Sequence, residues 1–143
     1  MRRLLILTVL VGACSSTVPS DLFESAEIRV GTTDLNVWIA DESAERRRGL
    51  MEIEVLPSGI DGMVFSWSSP VSARFHMENT LMPLDIWWFD ADGVLIGRTE
   101  MVPCETEDCP TYRPPGPVLS ALETPAGVET FPSGAVLSTV END

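Results

Sequence analysis

Residues 84–102 read LDIWWFDADGVLIGRTEMV, and the fold turns on them. Leu84 to Phe89 is the most apolar strand candidate in the chain. Asp90-Ala91-Asp92-Gly93 is a hairpin turn, and Val94 to Val102 is the returning strand. The alternative for Asp90-x-Asp92-Gly93 is the start of a calcium loop, but the remaining ligand positions and the distal Glu are missing. Trp87 and Trp88 are adjacent, so in a regular strand they point to opposite faces. One of them, with Trp38 and Trp67, would offer a stacking surface for sugars if it were exposed. The other reading is a strand covered on both sides.

Reading outward, Val71 to Glu78 alternates. Val71, Ala73, Phe75 and Met77 fall on one face, and Ser72, Arg74, His76 and Glu78 on the other. Ser68-Ser69-Pro70 before it reads as a turn, and Met63 to Trp67 as a strand. Glu27 to Gly31 and Leu35 to Ala40 are two more short strands, joined at Thr32-Thr33-Asp34. Between them and Met63, Asp41 reads as a helix N-cap. Glu42 and Glu45 suit the first turn of that helix, Arg46 to Arg48 the last, and Glu42 and Arg46 are spaced to pair. Gly49 stops the helix. Downstream, Pro103 to Pro117 is a loop with five prolines, and Val118–Leu122 and Ala135–Val140 complete the strands. The expectation is a mainly β (α+β) domain: a compact antiparallel roll or small barrel of about 7–8 short strands, with one short helix near residues 41–48.

The chain has 143 residues and a net charge of −13. That charge argues against nucleic acid as a partner, and against electrostatic docking on an anionic membrane. A hydrophobic share of 44 % rules out a disordered acidic tail. The first residues are basic (Arg2, Arg3), then apolar (Leu4 to Val11), then small (Gly12, Ala13), the order of a secretory signal. The apolar run is too short to span a bilayer. Val11-Gly12-Ala13-Cys14 resembles the lipobox of bacterial lipoproteins, in which Cys14 would be acylated and become the first mature residue. Residues 1–13 are then a signal peptide, 14–26 a tether and 27–140 one globular domain. Losing Arg2 and Arg3 and no acid, the mature chain carries −15. The expected location is extracytoplasmic, anchored to a bacterial membrane by lipid on Cys14. Whether that membrane is inner or outer is not readable from the chain.

With Cys14 acylated, Cys104 and Cys109 remain, spaced C-x4-C. A structural disulfide suits an exported chain; free thiols, a redox dithiol and a metal pair are the alternatives. His76 is the only histidine, so any imidazole chemistry rests on it. Met51, Met63, Met77, Met82 and Met101, with His76, could ligate Cu(I), although core filling is the better reading of them. There is no Gly-x-Ser-x-Gly elbow, no zinc spacing and no phosphate loop.

The ordered motifs resemble domain-of-unknown-function family 192, also called uncharacterised protein family 0127. They run from Val37-Trp38-Ile39-Ala40 through Glu45 to Met51 and Gly62-Met63-Val64-Phe65. The densest match is Phe75 to Ile86. Asp90 to Gly93, Pro103-Cys104, Cys109-Pro110, Val118-Leu119 and Pro125-Ala126-Gly127 follow. The resemblance implies a compact, mostly β domain and supplies no reaction, so no catalytic residue is carried over. The family usually has Trp and Lys where this chain has His76 and Glu78, and a Gly-Asp pair where it has Gly134-Ala135.

These readings converge on a lipid-anchored envelope domain that binds a ligand or partner without chemistry. No cofactor or metal is expected. The candidate surface joins Arg48, Arg74, His76, Glu78, Asn79, Thr80 and Asp85. The rival is an envelope hydrolase in which His76 works with Glu78 or Asp85, which requires a concave pocket and a carboxylate within hydrogen-bond reach. Copper handling by Met and His is a minor alternative.

Overall fold

In the computed structural model, residues 18–106 and 108–140 are described. The expected signal peptide and Cys14 lie outside them. Seven strands form one curled half-barrel sheet: β1 (Ser25–Val30), β2 (Thr33–Ala40), β3 (Gly62–Val71), β4 (Leu84–Phe89), β5 (Leu95–Met101), β6 (Val118–Pro125) and β7 (Leu137–Thr139). The order across the sheet is β5-β4-β6-β3-β2-β1-β7. β2 and β3 pair in parallel, and the single helix α1 (Ser43–Arg48) lies in the connection between them. All other neighbours are antiparallel. The sheet edges meet at one end: the Leu95 amide donates to the Ala135 carbonyl at 2.8 Å, and the Leu137 amide to the Gly93 carbonyl at 2.9 Å.

Both faces of the sheet are buried. Ile28, Val30, Leu35, Val37, Val64, Trp87, Phe89 and Leu122 fill the inside of the curl. Trp38, Met63, Phe65, Ile86, Trp88 and Ala121 belong to a second core on the outer face. Phe75, Met77 and Leu50, from the connecting segments, cover that outer core. Trp87 and Trp88 are therefore both buried, at 3 % and 0 % exposure, and neither offers a stacking surface. Trp87 packs on Phe131 and donates to the Thr124 hydroxyl at 3.0 Å; Trp88 meets Phe75 edge to face. Met63, Met77, Met82 and Met101 all lie in the outer core, where they fill space.

Several local expectations change. Ser68-Ser69-Pro70 is not a turn but the end of β3, where the register against β6 shifts between Ser66 and Val71. Residues 72–78 keep the alternating burial but are not a strand. They join the chain opposite only through single bridges, Phe75 with Tyr112 and Glu78 with Cys104. The loop they face holds Pro103, Pro110, Pro114, Pro115 and Pro117, which have no N–H to extend a ladder. The helix N-cap is Glu42 rather than Asp41, because Glu45 folds back to accept both backbone amides, Asp41's at 3.2 Å and Glu42's at 3.1 Å. Arg46 does not pair with Glu42. It donates to the Asp41 and Ser66 carbonyls and lies over the Trp67 ring. Packing also begins before residue 27: Phe23 is buried against Trp38, and the Trp38 indole donates to the Ser20 carbonyl at 2.9 Å. The stretch read as tether is thus partly domain, because the face of Trp38 needs a cover.

Cys104 and Cys109 are disulfide-bonded, with Cα atoms 5.7 Å apart. In the Asp90 turn, the carboxylate accepts the Asp92 and Val94 amides at 2.9 Å, so it closes the hairpin. Among the described residues no helix is long and apolar enough to cross a membrane.

Gly62 opens β3 directly against β6. A β-carbon placed there would meet the Glu123 carbonyl oxygen at 2.2 Å, and backbone cannot move aside cheaply. Gly62→Ala is expected to cost about 3 kcal/mol or more. Urea unfolding checks this; a midpoint within error of the parent would refute it.

Candidate functional site

The outer face is roofed by irregular chain, and the roof leaves a gap. A cavity of about 550 Å³ lies between α1 and residues 71–80 on one side and the sheet on the other. Its apolar lining is Leu50, Phe65, Trp67, Val71, Ala73 and Phe75. Arg46, Arg47, Arg48, Arg74, His76, Glu78 and Thr80 supply the polar lining. At its floor stands Glu123 of β6.

The way each side chain arrives follows from local structure. Helical spacing and the stop at Gly49 place Arg46 to Arg48 at the cavity end of α1. Gly49 has φ +48°, and a β-carbon there would press the Phe65 ring at 3.3 Å. Arg47 donates to Ser43 at 2.6 Å. The Arg48 side chain makes no hydrogen bond or ion pair to a described residue, and neither does that of Arg74. The period of two in residues 71–78 buries Ala73, Phe75 and Met77 and leaves Arg74, His76 and Glu78 outward, where they form the cavity lip. Thr80 is buried beside them.

Glu123 is the unusual member. It is 5 % exposed, and its partners in register are Met63 on β3 and Ile86 on β4, so its carboxyl emerges in an apolar row. Burial pushes its pKa up from 4.5 to about 8. At neutral pH the group is therefore mainly a carboxylic acid, with a proton to donate. Sequence reasoning missed it because β6 was taken to end at Leu122. The available signal was an acid inside an apolar run, Ala121-Leu122-Glu123, ahead of Pro125.

Of the residues expected at the site, Arg48, Arg74, His76, Glu78 and Thr80 line the cavity, and two do not. Asn79 is exposed with φ +55°, and its carbonyl accepts the Glu52 amide at 2.8 Å. Asp85 lies one residue out of phase with Ile86 and so points to the opposite face. There it is fully buried, accepting from the Arg98 guanidinium at 2.6 Å and the Gly127 amide at 2.9 Å. The hydrolase arrangement is incomplete: His76 lines a concave site, but no described carboxylate lies within hydrogen-bond reach of it. Among the described residues no cluster of three or more His, Cys, Asp or Glu could hold a metal ion. The Cu(I) arrangement also lacks its sulfurs, since four of the five methionines are in the core and only Met51 reaches the cavity.

The raised pKa of Glu123 has a stability consequence. The folded state holds the proton up to about pH 8, whereas the unfolded chain releases it near 4.5. Stability from this group is full below 4.5 and is lost as pH rises toward 8. Glu123→Gln removes that loss. Its thermal midpoint should match the parent near pH 4 and exceed it near pH 8 by an amount on the order of 10 °C, reflecting about 3 kcal/mol. A midpoint difference that does not change with pH would contradict the assignment.

Two solved structures share the architecture. A crystal structure of a protein of unknown function from Novosphingobium aromaticivorans DSM 12444 superposes with a TM-score of 0.70 at 26 % identity, over 86 % of this chain and 91 % of that one. A second, from Sinorhizobium meliloti 1021 and described as a candidate transcription regulator, gives 0.70 at 25 % identity, over 82 % and 95 %. No curated protein matches the chain. The family DUF192, described as Uncharacterized ACR, COG1430, matches residues 26–130, most of the folded domain, and the chain belongs to that family.

Proposed function

We propose that this is an exported, lipid-anchored envelope protein whose domain binds an anionic ligand in the cavity above Glu123, without chemistry. One observation carries the binding reading. A chain of net charge −13 gathers four of its nine arginines, and its only histidine, around one cavity. With Glu123 protonated, Glu78 is the one acid set against them. The remaining acids are spread elsewhere, so the local field opposes the global one and favours an anion at this point. The cavity size is that of a small-molecule site. The lipid anchor rests on the order of basic, apolar and small residues before Cys14.

Calorimetric titration of the full-length chain tests the binding reading with benzoate and its uncharged analogue benzamide. Benzoate is expected to saturate one site and to bind about ten-fold or more tighter than benzamide. The variant Arg48→Ala/Arg74→Ala should reduce benzoate affinity to that of benzamide. Equal affinity of the two compounds in the parent would remove the reading. The anchor is tested separately in a bacterial host. The parent should partition into the detergent phase of Triton X-114 and Cys14→Ala into the aqueous phase; an aqueous parent would exclude lipidation.

A further inference from the structure

The cavity is polar at its lip and apolar at its floor, with one exception at the bottom. Arg48 and Arg74 are exposed, whereas Phe65, Phe75 and Glu123 are buried. Phe65 and Phe75 meet edge to face with centroids 4.9 Å apart, and Trp67 and Phe75 do the same at 6.3 Å. Such a wall accepts a flat, apolar body. The carboxyl of Glu123 makes no hydrogen bond to a described residue, and its neighbours in register, Met63 and Ile86, have nothing to offer it. Among the described residues no fully enclosed side-chain oxygen lacks a partner, so this carboxyl opens onto the cavity, where an acceptor on a ligand can take the place of water.

We infer that the cavity takes an amphipathic anion in a fixed orientation: its charge between Arg48 and Arg74, its flat body on Phe65, Trp67 and Phe75, and a hydrogen-bond acceptor at its buried end on the carboxyl of Glu123. This rests on the anion-binding reading and adds a polarity to the ligand. A carbonyl, ether or ring nitrogen at the end remote from the charge is recognised, and an all-carbon end is not. The selectivity is coupled to pH, because an ionised Glu123 repels the acceptor it otherwise holds. The charged and titratable groups that line the cavity with Glu123 are Arg46, Arg47 and Arg48 from the helix, and Arg74, His76 and Glu78 from the lip; β3 and β4 contribute none.

The probes are 4-acetylbenzoate and 4-isopropenylbenzoate, equal in charge and close in shape, differing in that a distal carbonyl oxygen is replaced by a methylene. Calorimetry on the full-length chain at about pH 6 should show the acetyl compound binding about 3- to 10-fold tighter. Above about pH 9, where Glu123 is ionised, that preference should disappear. Glu123→Met should abolish it at both pH values. Glu123→Gln, which keeps a donor that does not titrate, should hold it at both, and serves also if Glu123→Met does not fold. Equal affinity of the two acids at pH 6 overturns the inference while leaving the anion-binding reading standing. A preference that persists unchanged in folded Glu123→Met, or that survives in the parent above pH 9, overturns it as well. If neither acid binds, the anion-binding reading fails and this inference with it.

Discussion

Leu84 to Phe89 is buried at every position, and that double burial constrains the rest of the molecule. A strand with apolar residues on both faces needs two cores. The inner one is supplied by the sheet itself, which curls until residues 135–137 bridge its edges. The outer one cannot be supplied by a second sheet or by α1, which has six residues and buries none of them. It is covered instead by Phe75, Met77 and Leu50 from the irregular segments between strands. A roof of that kind cannot tile a curved sheet without a gap. The gap lies over β6, and the residue under it is Glu123 rather than a hydrocarbon.

The same constraint explains which polar groups are free. Asp85 shares a strand with Ile86 and Trp88 but faces the other core, so its charge had to be neutralised within the fold. Arg98 and the Gly127 amide do this. Arg29 is held by Asp34 at the far edge of the sheet. Arg46 is fixed to the Ser66 carbonyl and the Trp67 ring, and so anchors α1 to the sheet. Arg48 and Arg74 are left at the cavity lip with no structural partner among the described residues. The segment carrying Arg74, His76 and Glu78 is held by two bridges to the proline-rich loop, one of them at Cys104. The disulfide that staples this loop therefore bears on the shape of the cavity as well as on stability.

The strands were legible where period and turn agreed. Leu84–Phe89, the Asp90 turn and the returning strand were placed closely, because the Asp90 carboxylate and Gly93 specify that hairpin locally. The parity of residues 71–78 was also legible, and it placed Arg74, His76 and Glu78 together on the outward side. Whether that segment formed a strand was not, since it depends on the chain opposite, where prolines interrupt pairing. Asp85 was misplaced for a related reason. The strands beside β4, which are β5 and β6, could not be read from the sequence. Glu123 was missed because burial of an acid depends on its cross-strand neighbours, Met63 and Ile86, which lie dozens of residues away in sequence.

The distribution of charge narrows what the cavity can hold. Charges more than about a Debye length apart, roughly 8 Å at physiological ionic strength, are largely screened, and a chain of net charge −13 offers an approaching anion no attraction beyond that range. Long-range attraction therefore contributes nothing to capture, and a small hydrated anion gains little by leaving water for two exposed guanidiniums. Affinity has to come from short-range contact, and the surfaces available for that are the aromatic wall and the acid at the floor. A ligand that uses them must carry apolar area along with its charge. On the proposed anion-binding reading, the acidic surface thus acts as a filter on an arginine-lined site, leaving inorganic anions in solution and favouring those whose buried part outweighs the repulsion.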